Sequence, residues 1–239
     1  MDPKDHLIFA LDVEDFEEAQ KFVLDFKDHV GMFKVGKQLF THCGPKIVDF
    51  IKMKNSKVFL DLKYHDIPNT VSKASIEAAK LGVDMLNVHT MGGFTMMNET
   101  RKAVEDSART LNLQRPILIG VTVLTSLDNR ELERMGIPIP VDNLVRNLAL
   151  LAKEAGMDGV VAGGSEIESI RKWCGNDFII VTPGVRIEEK KDDQKRTIGP
   201  VEAIRRGATY IVLGRAVRDN ADPRGLLEKI AGDVADATS

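Results

Sequence analysis

The sequence predicts an α/β protein folded as a single (β/α)8 barrel that uses residues 1–239 as one domain. Three observations carry this expectation. Eight short apolar runs alternate with amphipathic stretches from end to end, which means a parallel sheet joined by right-handed crossovers. No linker or low-complexity segment interrupts the rhythm. Eight strand–helix units within 239 residues suit a closed barrel better than an open, doubly wound sheet.

Each element has its own reason. The first strand is read at Leu7–Leu11, and Asp15–Lys27 follows as a helix because Phe16, Ala19, Phe22, Val23 and Phe26 recur at helical spacing. Met32–Val35 is the second strand, and Pro45–Met53 a helix opened by a proline at its first position. Val58–Leu62 leads to the helix Val71–Leu81, Met85–Val88 to Met96–Thr110, and Ile117–Val121 to Asn143–Ala155. Gly159–Ala162 precedes Glu166–Trp173, Phe178–Val181 precedes Pro200–Arg206, and Tyr210–Leu213 precedes Asp222–Ala231. The apolar runs have the length of strands buried on both faces. Gly82, Gly156 and Gly207 each stop a helix two or three residues before a strand. Two connections are longer than the rest, Ser126–Asp142 and Gly184–Gly199. Both follow the C-terminal end of a strand, where barrel enzymes build their sites, so both are lid candidates.

Composition narrows the function. Lysine and arginine number 33 against 36 aspartates and glutamates, and a net charge of −3 argues against a nucleic-acid binder. Cys43 and Cys174 are too few for a disulfide framework and form no CxxC, as expected of reduced thiols in a cytoplasmic protein. The N-terminal apolar run is too short for a signal peptide, and no stretch approaches the ~20 apolar residues of a membrane span. Neither nucleic acid nor membrane is therefore an expected partner.

In a barrel the chemistry sits at the C-terminal strand ends. Asp12 ends the first strand, Lys34 lies on the second, and the third ends in Asp61-Leu62-Lys63-Tyr64-His65-Asp66. Asp61 and Lys63 are two apart, so a strand points both to one face, and that face is inward if the other packs on helices. Charges inside a barrel mouth are costly unless paired, so Asp12, Lys34, Asp61 and Lys63 should form a ring of alternating charge. Gly214-Arg215 after the eighth strand, with Arg186 and Gln194 after the seventh, suits phosphate. Gly31–Gln38 nearly matches a nucleotide-triphosphate loop, but it lacks the final Ser or Thr and is itself a strand. The five histidines show no metal-ligand spacing, so no metal site is expected. His89 is read as a structural histidine, and Trp173 and the stretch Met91–Met97 as packing residues.

Asp61-Leu62-Lys63-Tyr64-His65-Asp66-Ile67-Pro68-Asn69-Thr70 strongly resembles the signature of the orotidine 5′-monophosphate decarboxylase family. Phe9-Ala10-Leu11-Asp12, Phe33-Lys34-Val35-Gly36, Asn87-Val88-His89, Thr182-Pro183-Gly184-Val185-Arg186 and Leu213-Gly214-Arg215 fit the same pattern, in order along nearly the whole chain. Lys37, Cys43 and the loop Gly163-Gly164-Ser165 depart from it at positions given no chemistry.

The resemblance implies loss of CO2 from orotidine 5′-monophosphate to give uridine 5′-monophosphate, the last step of UMP synthesis, without a cofactor or metal. It makes Lys63 the proton donor to C6, with Asp61 and Asp66 holding it as an ammonium and fixing its direction. Lys34 would bridge Asp61 and a ribose hydroxyl, and Asp12 would bind the ribose. Thr125 and Ser126 would read the pyrimidine edge. Gln194, Gly214 and Arg215 would hold the phosphate with Arg186 assisting, and Pro183 would line the same pocket. Asp66, Ile67 and Thr70 would come from the second subunit of a homodimer. Two other readings stand beside this one. A Mg²⁺-dependent keto-sugar-phosphate decarboxylase or aldolase of the same suprafamily should carry a carboxylate where this chain has Lys34. A catalytically dead nucleotide-binding barrel would have no need of intact Lys34, Asp61, Lys63 and Asp66.

Overall fold

The computed structural model describes residues 2–185 and 198–238. Eight parallel strands close on themselves in sequence order, β1 (Leu7–Ala10), β2 (Met32–Gly36), β3 (Lys57–Tyr64), β4 (Met85–His89), β5 (Ile117–Val121), β6 (Gly159–Val161), β7 (Ile179–Thr182) and β8 (Tyr210–Leu213). The seam is made by β8 against β1, with Ile8 opposite Val212. Around them lie α1 (Phe16–Phe26), α2 (Lys37–Cys43), α3 (Lys46–Met53), α4 (Pro68–Lys80), α5 (Gly93–Leu111), α6 (Asn129–Arg134), α7 (Val141–Glu154), α8 (Ile167–Cys174), α9 (Pro200–Arg205), α10 (Arg215–Arg218) and α11 (Pro223–Thr238). This is the expected (β/α)8, or TIM, barrel.

Period-two alternation sorts every strand into two faces. Ile8, Ala10, Met32, Phe59, Met85, Ile119, Val181 and Val212 form the cluster inside the barrel. Leu7, Phe9, Phe33, Val58, Leu60, Leu86 and Leu118 point the other way, into the larger core beneath the helices. There Phe9 meets Phe26 edge-on at 4.8 Å between ring centres. Asp15 caps α1 by accepting from Glu18 N at 2.8 Å, which fixes where that helix starts and so which face its phenylalanines present.

Among the places where the structure corrects the expected bounds, three lie along the C-terminal mouth of the barrel. β3 runs past Leu62 to Tyr64, with a register irregularity against β4. The Ser126–Asp142 connection is not simply a loop, because Asp128 caps α6 within it, accepting from Glu131 N at 2.9 Å. α4 begins at Pro68 rather than Val71, because proline suits the first helical turn even where no apolar residue marks it. Of the Gly184–Gly199 connection, residues 186–197 lie outside the described residues, and with them Arg186 and Gln194.

Candidate active site

The apolar filling of the barrel stops at Ala10, Met32, Phe59 and Met85. Two residues further along come Lys34, Asp61 and Asn87, still on β2, β3 and β4, and Asp12, just past the end of β1. Strand periodicity therefore delivers a polar layer to the C-terminal mouth without any special loop.

Asp61 is the hub of that layer and is buried. Its Oδ1 accepts from Lys63 Nζ at 2.6 Å and from Asn87 Nδ2 at 2.6 Å. Its Oδ2 faces Lys34 Nζ at 3.4 Å. Lys34 also donates to Asp12 Oδ1 at 3.1 Å, so one ammonium bridges two carboxylates. The expected ring of alternating charge is found as an open run, Asp12–Lys34–Asp61–Lys63, with no ion pair closing it from Lys63 back to Asp12. Solvent reaches its two ends: the Lys34 side chain is 12% exposed, but Lys63 is 25% and Asp12 56% exposed. The arrangement offers an ammonium at an open end, held by a carboxylate that is itself held from behind.

Lys63 reaches this position through an unusual backbone, with φ of 52°. Its N–H donates to Asn87 Oδ1 at 2.8 Å. Sequence reasoning includes Asn87 in the family pattern but gives it no role. It sits in an apolar run and carries no charge, and among physical signals its inward parity, two residues beyond Met85, is what marks it.

His89 ends β4 at the edge of the polar layer. Its ring lies 5.5 Å from that of His65, tilted by 41°. Burial, reinforced by the neighbouring charges of His65, Lys37 and Lys63 and opposed by Asp61, pushes its pKa down to about 4. It is a neutral imidazole beside the ammonium of Lys63.

The remaining predicted residues that fall within the described part of the chain follow the C-terminal ends of the strands. Gly214 precedes α10 close to Asp12, since a side chain there would come within 3.9 Å of Asp12 Oδ2. Arg215 opens α10 and is exposed, and the unforeseen Arg218 donates to Asp12 O at 2.7 Å. Thr125 and Ser126 form an exposed turn after β5, and Pro183 follows β7. Asp66 is not brought onto Lys63: it is exposed, and its carboxylate accepts from Ile67 N at 2.6 Å. Ile67 is 65% exposed, and Thr70 is exposed as well. Met96 and Met97 are packing residues as expected, but Met91 and Phe94 face outward. Among the described residues no helix is long and apolar enough to cross a membrane, and no group of three or more His, Cys, Asp or Glu could hold a metal ion.

A closed parallel barrel with paired lysines and carboxylates gathered at its C-terminal mouth defines a barrel enzyme rather than a structural module. A family model described as "Orotidine 5'-phosphate decarboxylase / HUMPS family" matches residues 5–230. The chain is 48% identical over 229 residues to the orotidine 5'-phosphate decarboxylase of Geobacter sp. (strain M21), covering 95% of each. It is 49% identical over 232 residues to that of Syntrophotalea carbinolica, covering 97% of this chain and 95% of the relative. The crystal structure of orotidine 5'-phosphate decarboxylase from Lactobacillus acidophilus aligns with a TM-score of 0.85 at 31% identity, over 96% of this chain and 99% of that one. The chain belongs to the orotidine 5'-phosphate decarboxylase / HUMPS family.

Proposed function

We propose that this chain, acting as one barrel domain, converts orotidine 5′-monophosphate to uridine 5′-monophosphate and CO2, closing UMP synthesis in the cytoplasm. The observation that supports this most is the ion-paired run Asp12–Lys34–Asp61–Lys63 at the barrel mouth. Lys34 stands where a metal-dependent sugar-phosphate enzyme of the suprafamily should carry a carboxylate.

The chemistry follows from the charges. The bond from C6 to the carboxylate carbon breaks heterolytically, CO2 departs, and the electron pair stays on C6. Developing charge at C6 is met by the ammonium of Lys63, fixed in place before the reaction begins. A proton then passes from Lys63 Nζ to C6, and the neutral amine recovers one from solvent. Asp61 lies beside the leaving carboxylate and aims Lys63. Lys34 and Asp12 take the ribose hydroxyls, and Thr125 and Ser126 read the pyrimidine edge. Pro183, Arg186, Gln194, Gly214 and Arg215 form the phosphate end, where binding remote from C6 contributes to lowering the barrier.

Asp66, Ile67 and Thr70 serve the site of a second copy of the chain. Two features support this sharing. Asp66 makes no ion pair with its own Lys63 and accepts from Ile67 N instead, and exposed Ile67, Met91, Phe94 and Leu124 follow three successive strands at the C-terminal end of the barrel. Apolar side chains gathered beside a polar site suit an interface.

Lys63→Ala is the direct test. The fold should survive while turnover of orotidine 5′-monophosphate, followed by loss of its absorbance, falls by many decades; near-normal turnover would exclude Lys63 as the donor. For the shared site, inactive Lys63→Ala and Asp66→Ala chains should regain activity when mixed. Absence of complementation, with subunit exchange demonstrated, would return Asp66 to its own barrel.

A further inference from the structure

We propose that Asn87 is a positioning residue for decarboxylation, holding the Lys63 backbone and the Asp61 carboxylate with the two ends of one amide. The register of β3 and β4 is the starting point. Leu60 lies opposite Leu86 and Tyr64 opposite Val88, so β3 spends four residue steps where β4 spends two. The surplus falls on Asp61–Lys63, the segment that carries the chemistry. A bulge of this kind re-aims side chains and leaves ladder groups unpaired. It also puts Lys63 at φ 52°, a region that residues with a β-carbon rarely adopt and that persists only where the surroundings enforce it.

Asn87 lies within that β4 interval and supplies the enforcement. Its Oδ1 accepts the Lys63 N–H at 2.8 Å, while its Nδ2 donates at 2.6 Å to the same Asp61 oxygen that holds Lys63 Nζ. Chemistry fixes the direction of the amide, because a backbone N–H only donates and a carboxylate only accepts. At 1% exposure, Asn87 acts through Lys63 and Asp61 rather than by touching substrate. A shorter side chain at 87 would free both the backbone turn and the carboxylate, and the ammonium would lose its fixed approach to C6.

The inference rests on Lys63 as proton donor, and the test separates the two. Asn87→Ala in the full chain should lower kcat about 100-fold, the scale of a 1 Å misplacement at a reacting centre. Affinity for uridine 5′-monophosphate should change less than about threefold, because ribose and phosphate contacts remain. Asn87→Asp keeps the acceptor for the Lys63 N–H but sets a carboxylate against Asp61. The groups facing position 87 are Asp61 and Lys63, with Lys34 behind Asp61 and His89 two residues along β4. Protonating the introduced carboxyl restores a donor toward Asp61. The activity of Asn87→Asp relative to the unsubstituted chain should therefore rise about tenfold or more from pH 8 to 5.5, while that of Asn87→Ala stays flat. The positioning role is overturned by kcat within threefold of the original in both variants, by kcat and nucleotide affinity falling together, or by a flat ratio for Asn87→Asp. If only Asn87→Asp folds, its pH ratio decides; if neither folds, Asn87 serves the barrel alone and the inference fails. Lys63→Ala assayed alongside keeps the readings apart: inactivity there with unaffected Asn87 variants removes only the positioning role.

Discussion

Asp61 and Lys63 are both expected to be indispensable for turnover, yet their removal should disturb stability very differently. Asp61 accepts from Lys63 at 2.6 Å and faces Lys34 at 3.4 Å, so at an effective dielectric of about 20 the gross attractions are about 6 and 5 kcal/mol. Desolvation of the ions offsets most of this. Asp61→Ala leaves Lys34 with the exposed carboxylate of Asp12, takes from Lys63 the carboxylate it pairs with, and deprives the buried Asn87 Nδ2 of its acceptor. Broken buried pairs cost ~3–5 kcal/mol, and partial hydration of Lys63 places this case at the lower end, near 3 kcal/mol. Lys63→Ala instead removes the more exposed partner, while Asp61 keeps Lys34 and Asn87, so about 1 kcal/mol is expected. Urea denaturation should give unfolding free energies about 2 kcal/mol apart at equal m-values, and melting temperatures about 4–8 °C apart. Equal destabilisation by the two substitutions, or a greater loss for Lys63→Ala, would refute Asp61 as the hub.

Three other perturbations follow from the same structure. The pKa of His89 lies near 4 in the folded chain, below its ordinary value of about 6.5, so the unfolded chain takes up the proton first as pH falls. The stability it contributes is present above pH ~6.5 and lost toward pH 4, by about 1–2 kcal/mol after discounting for the partly exposed ring, and His89→Asn should flatten that window; parallel curves would contradict it. Arg171 donates to the carbonyls of Gly207, Gly175, Asn176 and Phe178 and to Thr209 Oγ1, so Arg171→Ala should cost about 3 kcal/mol by denaturation. Its kcat should be unchanged, because these contacts lie at the opposite end of the barrel from the site. Gly159→Ala would drive a β-carbon into Ile179 O on the neighbouring strand, and a loss of at least about 2 kcal/mol is expected in the same assay; a neutral effect would mean β6 and β7 can separate freely.

The charged part of the site was legible in the sequence because a strand has period two and an interior charge has to find a partner. Those two rules suffice to bring Asp12, Lys34, Asp61 and Lys63 together. They do not find Asn87, because a neutral amide inside Met85–Val88 costs nothing visible until its two partners are known. The bulge and the left-handed backbone of Lys63 escape for a related reason. They arise from competition between β3 and β4 for register, which neither segment displays alone. The short helices α2, α6 and α10 span seven, six and four residues, too few turns for an apolar stripe to emerge. The exposed Met91 and Phe94 look like core residues by type, and only their placement after β4 shows that they face out.

The two ends of the barrel divide the work, and the N-terminal end explains how the other can hold so much charge. Before β4, β6 and β8 stand Asp84, Asp158 and Thr209. Each donates its own N–H to a carbonyl of the preceding odd strand and accepts, through its side chain, an N–H from the same residue. The pairs are Asp84 with Val58, Asp158 with Leu118 and Thr209 with Ile180. Each is also held by a cation, Lys52, Arg115 or Arg171 in turn. Before β2 the same backbone bond runs from Gly31 to Leu7, and a side chain there would collide with the backbone of Asp5. The even strands are thereby pinned to the odd ones at their starts. A one-residue slip, which would turn Lys34 or Asp61 out of the barrel, would have to break these bonds first. Register fixed at one end lets the other carry four charges and a bulge that would be liabilities in a sheet free to slide.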